Sequence, residues 1–340
     1  MSSRSVTVNA LDDIRVDRSF TPRAAAGQVL VHSRIIGICG SDMHAARGHH
    51  PFMSLPFQPG HEVVGVVAGL GEGVDPALQG QRVVIEPNLT CGHCEQCLAG
   101  SYNICAELEV FGCQTPGGMA DAFVIDADRI IPLPDDIDDL WAALIEPLAT
   151  PVHAVRRAGD LTGKKVLVIG AGPIGLFTAL AARAAGAERV VVADIIASKR
   201  ERALRLGADA AFDSSTEDAG SEALEAIGGA AHVVFDCVSH VTTVRLAIEV
   251  LSKGGRLQVV GVPAGETLVA LDLIQDRELT VAGNLMYVRE DMVRALEILR
   301  PKPFDIDELV TATFDLAQAA DAFHAAADPD QVKVLVTVSA

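Results

Sequence analysis

Four cysteines lie close together in one short segment, CGHCEQCLAGSYNIC, with the spacing C-x2-C-x2-C-x7-C. They are Cys91, Cys94, Cys97 and Cys105. Four thiolates in a compact loop can bind one Zn²⁺ tetrahedrally and leave no coordination position open, which is typical of a structural site. His93 lies inside the loop but is not needed as a ligand. A disulfide ladder is the alternative, but the chain has seven cysteines, and an odd number does not complete a disulfide framework.

A second group of possible metal ligands is spread over three segments, GICGSDMH, PGHEVVG and LIEPLATPVHAV. Its members are Cys39, with Ser41, Asp42 and His44 close behind it, then His61 and Glu62, and finally Glu146. One cysteine, one histidine and one or two carboxylates form an incomplete protein shell for zinc, which is what a catalytic site needs. Ordinary structural roles compete with this interpretation, because a buried cysteine usually packs as a small apolar residue. Spacing alone leaves both interpretations open.

A glycine pattern, G-x-G-x-x-G, is formed by Gly170, Gly172 and Gly175. It follows the apolar run 166–169, opens a helix at Pro173, and is followed by Asp194 at the end of the next predicted strand. This context predicts a dinucleotide site, in which the helix N-terminus binds the pyrophosphate and the acidic residue binds the ribose. A carboxylate would repel a 2′-phosphate, which favours NAD over NADP, although Lys199 and Arg200 nearby weaken that preference. The residues expected to bind the cofactor are Gly170, Gly172, Pro173, Ile174, Gly175, Asp194 and Lys199.

Two regions of the chain, which differ in their predicted secondary structure, must position these groups. The first ~150 residues contain short apolar runs such as QVLVHSRIIGI, HEVVGVVAG and QRVVIEP between turn residues, which predicts an irregular, barrel-like β domain. From about Leu161 strands and helices alternate, which predicts a doubly wound parallel sheet. We expect the tail ending in KVLVTV to return to the first domain. The predicted division is residues 1–150 and 290–340 for the β domain and 151–289 for an inserted dinucleotide-binding domain of the Rossmann type.

Composition excludes some classes of function. The 340 residues carry a net charge of −18, with no run rich in Lys and Arg, so neither a nucleic acid nor an anionic membrane surface is an expected partner. The N-terminal segment lacks the apolar core of a signal peptide, and no apolar stretch approaches the ~18–20 residues of a membrane span. We therefore expect a cytoplasmic protein with reduced thiols.

At this point the motifs resemble those of a known family. GICGSDMH, PGHEVVG, the cysteine loop, LIEPLATPVHAVRRAG, VLVIGAGPIGL and VVVAD together are similar to the zinc-dependent medium-chain dehydrogenases. Within that family the IEP segment before the cysteine loop and the EPLA glutamate resemble the sorbitol (polyol) dehydrogenase branch. The resemblance covers essentially the whole chain. It implies a GroES-like catalytic domain in addition to the Rossmann domain, with NAD and two Zn²⁺ per chain as cofactors.

The resemblance also implies roles for individual residues. Cys39 and His61 would bind the catalytic zinc, Glu62 would complete the shell directly or through an exchanging water, and Glu146 would take the remaining ligand or water-anchoring place. The four clustered cysteines would hold the structural zinc.

Ser41 and His44 would carry the alcohol proton to solvent by way of the cofactor ribose, with the metal acting as a Lewis acid and NAD⁺ accepting the hydride. The implied reaction is oxidation of a secondary alcohol to a ketone, in a homotetramer or homodimer.

Two departures from the polyol branch bear on the substrate. Ala45 stands where an aromatic residue often follows the relay histidine, and Met286-Tyr287 stands where Arg-Tyr is usual. Phe111, by contrast, matches an aromatic wall of the pocket. These differences make sorbitol itself doubtful and leave a polyol, a cyclitol or a similar secondary alcohol as the expected substrate.

Three alternatives remain open at the level of sequence. The first is an amino-alcohol dehydrogenase of the L-threonine type, which shares most of these motifs. The second is a catalytically inactive protein that binds zinc and NAD. The third is a zinc-binding regulatory or nucleic-acid protein built around the four-cysteine loop, which the charge and the complete glycine loop both disfavour.

Overall fold

The computed structural model of this chain describes residues 2–263 and 265–339, which form two compact units. The first unit contains the described residues up to Glu146 together with those from Leu299 onward, and the second runs from Pro147 to Ile298. The α/β unit is thus inserted into the chain of the β unit, as the sequence predicts. The boundaries fall at 146/147 and 298/299, against the predicted 150/151 and 289/290.

The strands of the described chain are β1 (Ser2–Ala10), β2 (Asp13–Phe20), β3 (Gln28–Ile38), β4 (Glu62–Leu70), β5 (Arg82–Ile85), β6 (Asn88–Leu89), β7 (Glu109–Val110), β8 (Ala122–Asp126), β9 (Ile130–Pro132), β10 (Lys165–Ile169), β11 (Arg189–Ala193), β12 (Ala210–Phe212), β13 (Ala231–Asp236), β14 (Leu251–Val259), β15 (Thr280–Gly283), β16 (Val310–Asp315) and β17 (Lys333–Thr337). The α-helices are α1 (Gly40–Ala46), α2 (Glu95–Leu98), α3 (Asp139–Ala142), α4 (Ile145–Ala158), α5 (Pro173–Ala184), α6 (Ala197–Arg205), α7 (Ala219–Ile227), α8 (Val241–Val250), α9 (Leu271–Asp276), α10 (Arg289–Leu299) and α11 (Ala319–Ala326).

The first unit is organised around one long strand, β3. Its N-terminal half pairs with β8 and its C-terminal half with β17, while β4 pairs along its other side. The full sheet has the order β16-β17-β3-β4-β5-β9. Buried valines and isoleucines of these strands form one core with α11, because alternate strand residues point to the same face. This arrangement places the last strand of the chain directly beside β3.

The second unit is a six-stranded sheet with the order β12-β11-β10-β13-β14-β15, in which every adjacent pair is parallel. Strand residues 166–169 are all buried, as expected for a parallel sheet covered on both faces. The chain winds outward from β10 to β12 and then crosses to β13 on the other side. The carboxyl ends of β10 and β13 therefore form the topological switch point at which such sheets bind ligands.

The predicted elements of the second unit agree closely with the observed ones. From β10 to β15, strands and helices alternate along most of this unit, as the sequence predicts from about Leu161 onward. The tail prediction is confirmed as well, since KVLVT forms β17 and pairs with β3 of the first unit. Helix α10 belongs mostly to the second unit, which explains why the observed boundary lies later than the predicted one.

Candidate metal centres and cofactor loop

The four cysteines of the loop form one cluster in the first unit. Their Sγ atoms all lie within 4.8 Å of one another. The distances are 3.5 Å from Cys105 to Cys91 and 3.9 Å for both Cys91–Cys97 and Cys94–Cys105. Zn–S bonds of about 2.3 Å in a tetrahedron require sulfur atoms about 3.8 Å apart. The cluster therefore has the dimensions of a four-thiolate zinc site, and no pair is at the 2.05 Å of a disulfide.

Backbone amides around the loop favour the thiolate form of its cysteines. The amide of Cys94 lies 3.4 Å from the Cys91 sulfur, and the amides of Cys91 and Glu107 lie 3.4 and 3.3 Å from the Cys105 sulfur. The backbone N–H of His93 lowers the pKa of Cys91 to about 6, and that of Ala106 lowers the pKa of Cys94. Burial, by contrast, raises the pKa of Cys97 to about 12. Because only the thiolate binds zinc, the backbone prepares Cys91 and Cys94 of this loop for the metal.

The second cluster brings together Cys39, His61 and Glu62, with one ligand atom of each within 4.8 Å of the others. Cys39 precedes α1 at the end of β3, and Glu62 begins β4. The antiparallel pairing of β3 with β4 sets Gly37 opposite Glu62. This pairing brings the side chains of Cys39, His61 and Glu62 close together. His61 is 5% exposed and Glu62 1% exposed, so these polar groups require partners.

Asp42 supports this cluster from the first turn of α1. One of its carboxylate oxygens accepts a hydrogen bond from the Cys39 amide at 2.9 Å. The other oxygen is buried, has no hydrogen-bond partner among the described residues, and lies 3.7 Å from Nδ1 of His61. Burial alone would lower the pKa of His61, but the Asp42 carboxylate and the sulfurs of Cys113 and Cys39 together outweigh it, and the pKa is raised well above 6.5. The surroundings of His61 therefore attract a cation.

Glu62 forms an ion pair with Lys333, a residue that no sequence motif identifies as part of the site. Nζ of Lys333 lies 2.7 Å from both carboxylate oxygens of Glu62, and both side chains are almost completely buried. Burial alone would lower the pKa of Lys333, but the Glu62 carboxylate and the Cys39 sulfur raise it. The signal was available in the sequence as a single lysine at the start of the apolar strand KVLVT.

The remaining predicted residues of the first unit lie at different depths. Glu146, 8% exposed, is not within the three-residue cluster but is close enough to contribute to the raised pKa of Lys333. On α1, Ser41 is half-buried and His44 is exposed. Ala45 and Phe111 are buried in the apolar core of this unit, where the Phe111 ring packs 5.2 Å from that of Phe123.

Cys113 is a further neighbour of the cluster. Its sulfur lies 3.8 Å from Nδ1 of His61. It also borders a cavity of about 450 Å³ in the first unit, together with Phe52, Gln114 and Thr115. No spacing pattern links Cys113 to the other cysteines, so the sequence offers no signal for its position.

The glycine loop of the second unit connects β10 to α5. A Cβ at Gly175 would lie 1.7 Å from the carbonyl oxygen of Gly170, so only glycine permits this contact between helix and loop. At Gly172 the same construction meets no atom within 4 Å. The helix N-terminus at Pro173 therefore faces open space of the kind that a pyrophosphate can enter, and the loop fits a dinucleotide.

Asp194 lies directly after β11 and is tied to the loop. Its two carboxylate oxygens accept hydrogen bonds from the amides of Ala171 at 2.7 Å and Ile196 at 2.8 Å. Arg200, which might compete for a 2′-phosphate, donates instead to the Asp194 carbonyl and to the Asp213 carboxylate at 2.8 and 3.0 Å. Lys199 is half-buried. A carboxylate held in this position can accept a hydrogen bond from a ribose hydroxyl.

Comparisons with known proteins agree with this geometry. Residues 25–135 match the model of the alcohol dehydrogenase GroES-like domain, and residues 173–300 match that of the zinc-binding dehydrogenases. Sorbitol dehydrogenase of Ovis aries is 34% identical over 98% of this chain and 95% of its own. The rspB protein of Escherichia coli CFT073, solved with NADH, has a TM-score of 0.92 at 29% identity over 99% of both chains. A zinc-binding dehydrogenase of Sinorhizobium meliloti 1021, solved with NADP, has the same TM-score at 30% identity over 99% of both chains.

The family models together cover most of the chain, and the sheep relative spans nearly all of it. Within residues 2–263 and 265–339, no helix is both long and apolar enough to span a bilayer. The predicted fold, a GroES-like domain with an inserted Rossmann domain, is confirmed. This chain is a member of the zinc-binding medium-chain alcohol and polyol dehydrogenases, a family of oxidoreductases.

Proposed function

We propose that this chain oxidises a secondary alcohol of the polyol or cyclitol type to a ketone. The alcohol carbon loses a hydride to NAD⁺ and the hydroxyl loses a proton, so the products are the ketone, NADH and H⁺. The observation that carries the proposal is the buried cluster of Cys39, His61 and Glu62 in the first unit. Its mixed sulfur, nitrogen and oxygen donors suit a metal that keeps a position free for substrate.

The donors of the two clusters fit zinc, and their numbers indicate different tasks. Cys39 and His61 would hold the catalytic ion, with Glu62 and Glu146 binding directly or through water, while the four cysteines would hold the structural ion. Bound zinc would supply Lewis-acid chemistry at the alcohol oxygen, and NAD⁺ would supply the hydride acceptor. The Asp42 carboxylate, 3.7 Å from Nδ1 of His61, would favour the binding orientation of the ring by electrostatic attraction, as carboxylates beside metal-binding histidines do.

The proton must leave the alcohol as the hydride leaves the carbon. Ser41 and His44 are three residues apart on α1, which places their side chains on neighbouring positions of one helix face. The half-buried Ser41 hydroxyl would accept the proton, and the exposed His44 would release it to solvent. Ala45 and Phe111 would influence the width of the substrate pocket through the packing beneath it.

The cofactor would bind along the glycine loop at Gly170, Gly172, Pro173, Ile174 and Gly175, with Asp194 and Lys199 at the adenosine ribose. We propose NAD over NADP because the Asp194 carboxylate stands at the end of β11 and Arg200 is engaged by Asp213. The related structures include one with NADH and one with NADP, so the preference must come from this chain's own residues. We further propose a cytoplasmic homotetramer or homodimer.

Turnover on a substrate panel tests the reaction. NADH formation is followed with polyols, cyclitols, simple secondary alcohols and L-threonine, on protein whose zinc content is measured in the same preparation. We expect two zinc ions per chain and turnover of a polyol or cyclitol. Turnover of L-threonine alone would replace the proposal by an amino-alcohol dehydrogenase. Two zinc ions with no NADH formed from any alcohol would indicate a non-catalytic protein.

The cofactor preference is tested by Asp194→Ala, with Lys199→Ala as the neighbouring control. Removing the carboxylate removes its repulsion of a 2′-phosphate, so we expect the ratio of kcat/KM for NAD over NADP to fall at least ~10-fold, which corresponds to about 1.4 kcal/mol of discrimination. The lysine variant should not move the ratio in the same direction. An unchanged ratio in Asp194→Ala would remove Asp194 from the ribose site.

A further inference from the structure

An arginine lies at the edge of the candidate cofactor site, where two groups of the protein hold it. Arg200 belongs to α6, the helix that leads from β11 to β12, and its side chain is half-buried. Its Nη1 donates to the carbonyl oxygen of Asp194 at 2.8 Å and to a carboxylate oxygen of Asp213 at 3.0 Å. The guanidinium group is therefore drawn towards the ends of two neighbouring strands.

The two aspartates that accept from Arg200 lie side by side because their strands do. β11 and β12 run parallel, with Ala193 opposite Phe212 in the register. Asp194 and Asp213 directly follow this pair, and the amide of Asp194 lies 3.3 Å from the carbonyl oxygen of Phe212. Asp213 is therefore at the same carboxyl edge of the sheet as Asp194, the residue at which we place the adenosine ribose.

Asp213 is held so that one of its carboxylate oxygens accepts from Arg200. Its Oδ1 accepts hydrogen bonds from the amide of Ser215 at 2.9 Å and from the Ser215 hydroxyl at 2.6 Å. Its Oδ2 accepts from the guanidinium group. The hydrogen bonds from Ser215 and the nearby charge of Arg200 lower the pKa of Asp213, so the carboxylate is ionised at neutral pH and forms an ion pair with Arg200.

A guanidinium group beside the adenosine ribose is a common means of binding the 2′-phosphate of NADP. Its planar set of N–H donors matches phosphate oxygens in two-point hydrogen bonds. In this chain Nη1 of Arg200 is already engaged by two oxygens, and the negative charge of Asp213 opposes the attraction of Arg200 for an incoming phosphate. The chain thus carries a group able to bind phosphate and an acid that restrains it.

We propose that Asp213 is a specificity-determining residue that holds the Arg200 guanidinium group away from the 2′ position of the adenosine ribose and so disfavours NADP. Asp213 is a positioning residue, because it acts through Arg200 and does not itself touch the cofactor. The proposal rests on the proposed function, in that it assumes a dinucleotide at the glycine loop with its ribose at Asp194. It adds a second source of NAD preference, an ion pair outside the ribose site, to the repulsion by the Asp194 carboxylate.

The main test replaces Asp213 by asparagine. The asparagine oxygen can still accept from Ser215, which turns the NH₂ group towards Arg200 and removes the acceptor for the guanidinium group. Dissociation constants of NADH and NADPH are measured by fluorescence titration without alcohol. The two nucleotides differ only in the 2′-phosphate, so the ratio of their Kd values isolates that group. We expect the Kd of NADPH to fall at least ~10-fold and that of NADH to stay within ~3-fold. An unchanged ratio would overturn the proposal.

A charge control and a double variant identify the route of the effect. Glu217→Gln removes one negative charge from an exposed position four residues beyond Asp213, and it should leave the ratio within ~2-fold. In the double variant Asp213→Asn, Arg200→Ala the gain in NADPH affinity should disappear, because no guanidinium group remains to bind the phosphate. If the double variant keeps the gain, or if Glu217→Gln reproduces it, the effect is one of overall charge and the proposal is wrong.

Arg200→Ala alone keeps the test informative if Asp213→Asn does not fold. When Asp213 holds Arg200 off the phosphate, loss of Arg200 from the otherwise unmodified protein should change the Kd of NADPH by no more than ~3-fold. A Kd raised at least ~10-fold would show that Arg200 already binds the 2′-phosphate, and Asp213 would then not restrain it.

These readouts separate the proposal from the proposed function. Nucleotide binding requires neither alcohol nor turnover, so it reports on Asp213 even if the alcohol panel gives no product. An unmodified protein that binds NADPH as tightly as NADH would overturn the proposal and leave the alcohol chemistry in place. An unmodified protein that binds neither nucleotide would reject the cofactor site itself, and the proposal with it.

Discussion

The two candidate metal clusters of the first unit differ in how the chain builds them. The cysteine loop takes all four ligands from one short segment, and three of its four cysteines are only half-buried. The other cluster takes residues from the end of β3 and the start of β4, and its counter-ion from β17. The first is a local, sulfur-only site that can brace a surface loop. The second is a buried site with sulfur, nitrogen and oxygen donors, and its neighbours include the charged residues Asp42 and Lys333. Such surroundings are suited to a catalytic metal.

The largest effect should come from breaking the buried cluster alone. Cys39→Ala removes a ligand of the proposed catalytic zinc, whose Lewis-acid contribution is worth several kcal/mol. We expect turnover to fall at least ~10³-fold and zinc content to fall from two ions to one, with the melting temperature nearly unchanged. Metal analysis, kinetics and thermal unfolding measure the three quantities. Full activity in this variant would place the catalytic metal elsewhere.

Breaking the cysteine loop should produce the opposite pattern. Cys97→Ala leaves three ligands and opens the loop, so we expect loss of one zinc ion and a decrease in the free energy of unfolding of about 4 kcal/mol, as when a structural metal is lost. Activity per folded molecule at low temperature should largely remain. A variant that keeps its stability but loses turnover would show that the two clusters do not divide their tasks in this way.

The comparison becomes sharper when a residue beside one cluster is changed. Asp42→Asn keeps the size of the side chain but removes the charge near His61. Loss of such a supporting carboxylate typically weakens metal binding about 10–100-fold. We expect a chelator to remove the catalytic metal correspondingly faster, while the metal of the cysteine loop is released at its normal rate. Equal acceleration at both sites would point to general destabilisation instead.

The smallest effect is expected at His93. This exposed residue could form an alternative ligand set with Cys91 and Glu107. If the four cysteines close the site, His93→Ala should retain two zinc ions and change the free energy of unfolding by no more than ~0.5 kcal/mol. A drop to one zinc ion would make His93 a ligand and Cys97 or Cys105 dispensable.

The features that depend on residues close together in the sequence could be predicted well. The cysteine loop, the glycine loop and the alternation of strands and helices after Leu161 are local patterns, and each is present in the structure. The returning tail was also predicted, because an apolar run at the end of the chain must be covered by another element. These are features in which periodicity or spacing carries the physical constraint.

What could not be predicted depends on residues that meet only in the folded chain. Lys333 reaches Glu62 because β17 lies beside β3, and Cys113 reaches His61 through a loop with no recognisable spacing. The burial of Ala45 and Phe111 likewise follows from the packing of a whole domain and from no motif. The unit boundary near Leu299 was misplaced because the helical pattern of α10 does not reveal which sheet it packs against.

The position of Lys333 has a consequence for the order in which the protein matures. The pair with Glu62 joins residues 271 positions apart, so it can form only after β17 has left the ribosome. The cysteine loop, whose ligands are at most 14 positions apart, can close long before that. A nascent chain therefore meets zinc first with a complete structural loop and with a Glu62 carboxylate that has no ammonium partner. The geometry of the active centre is settled last, when the final strand is added to the sheet.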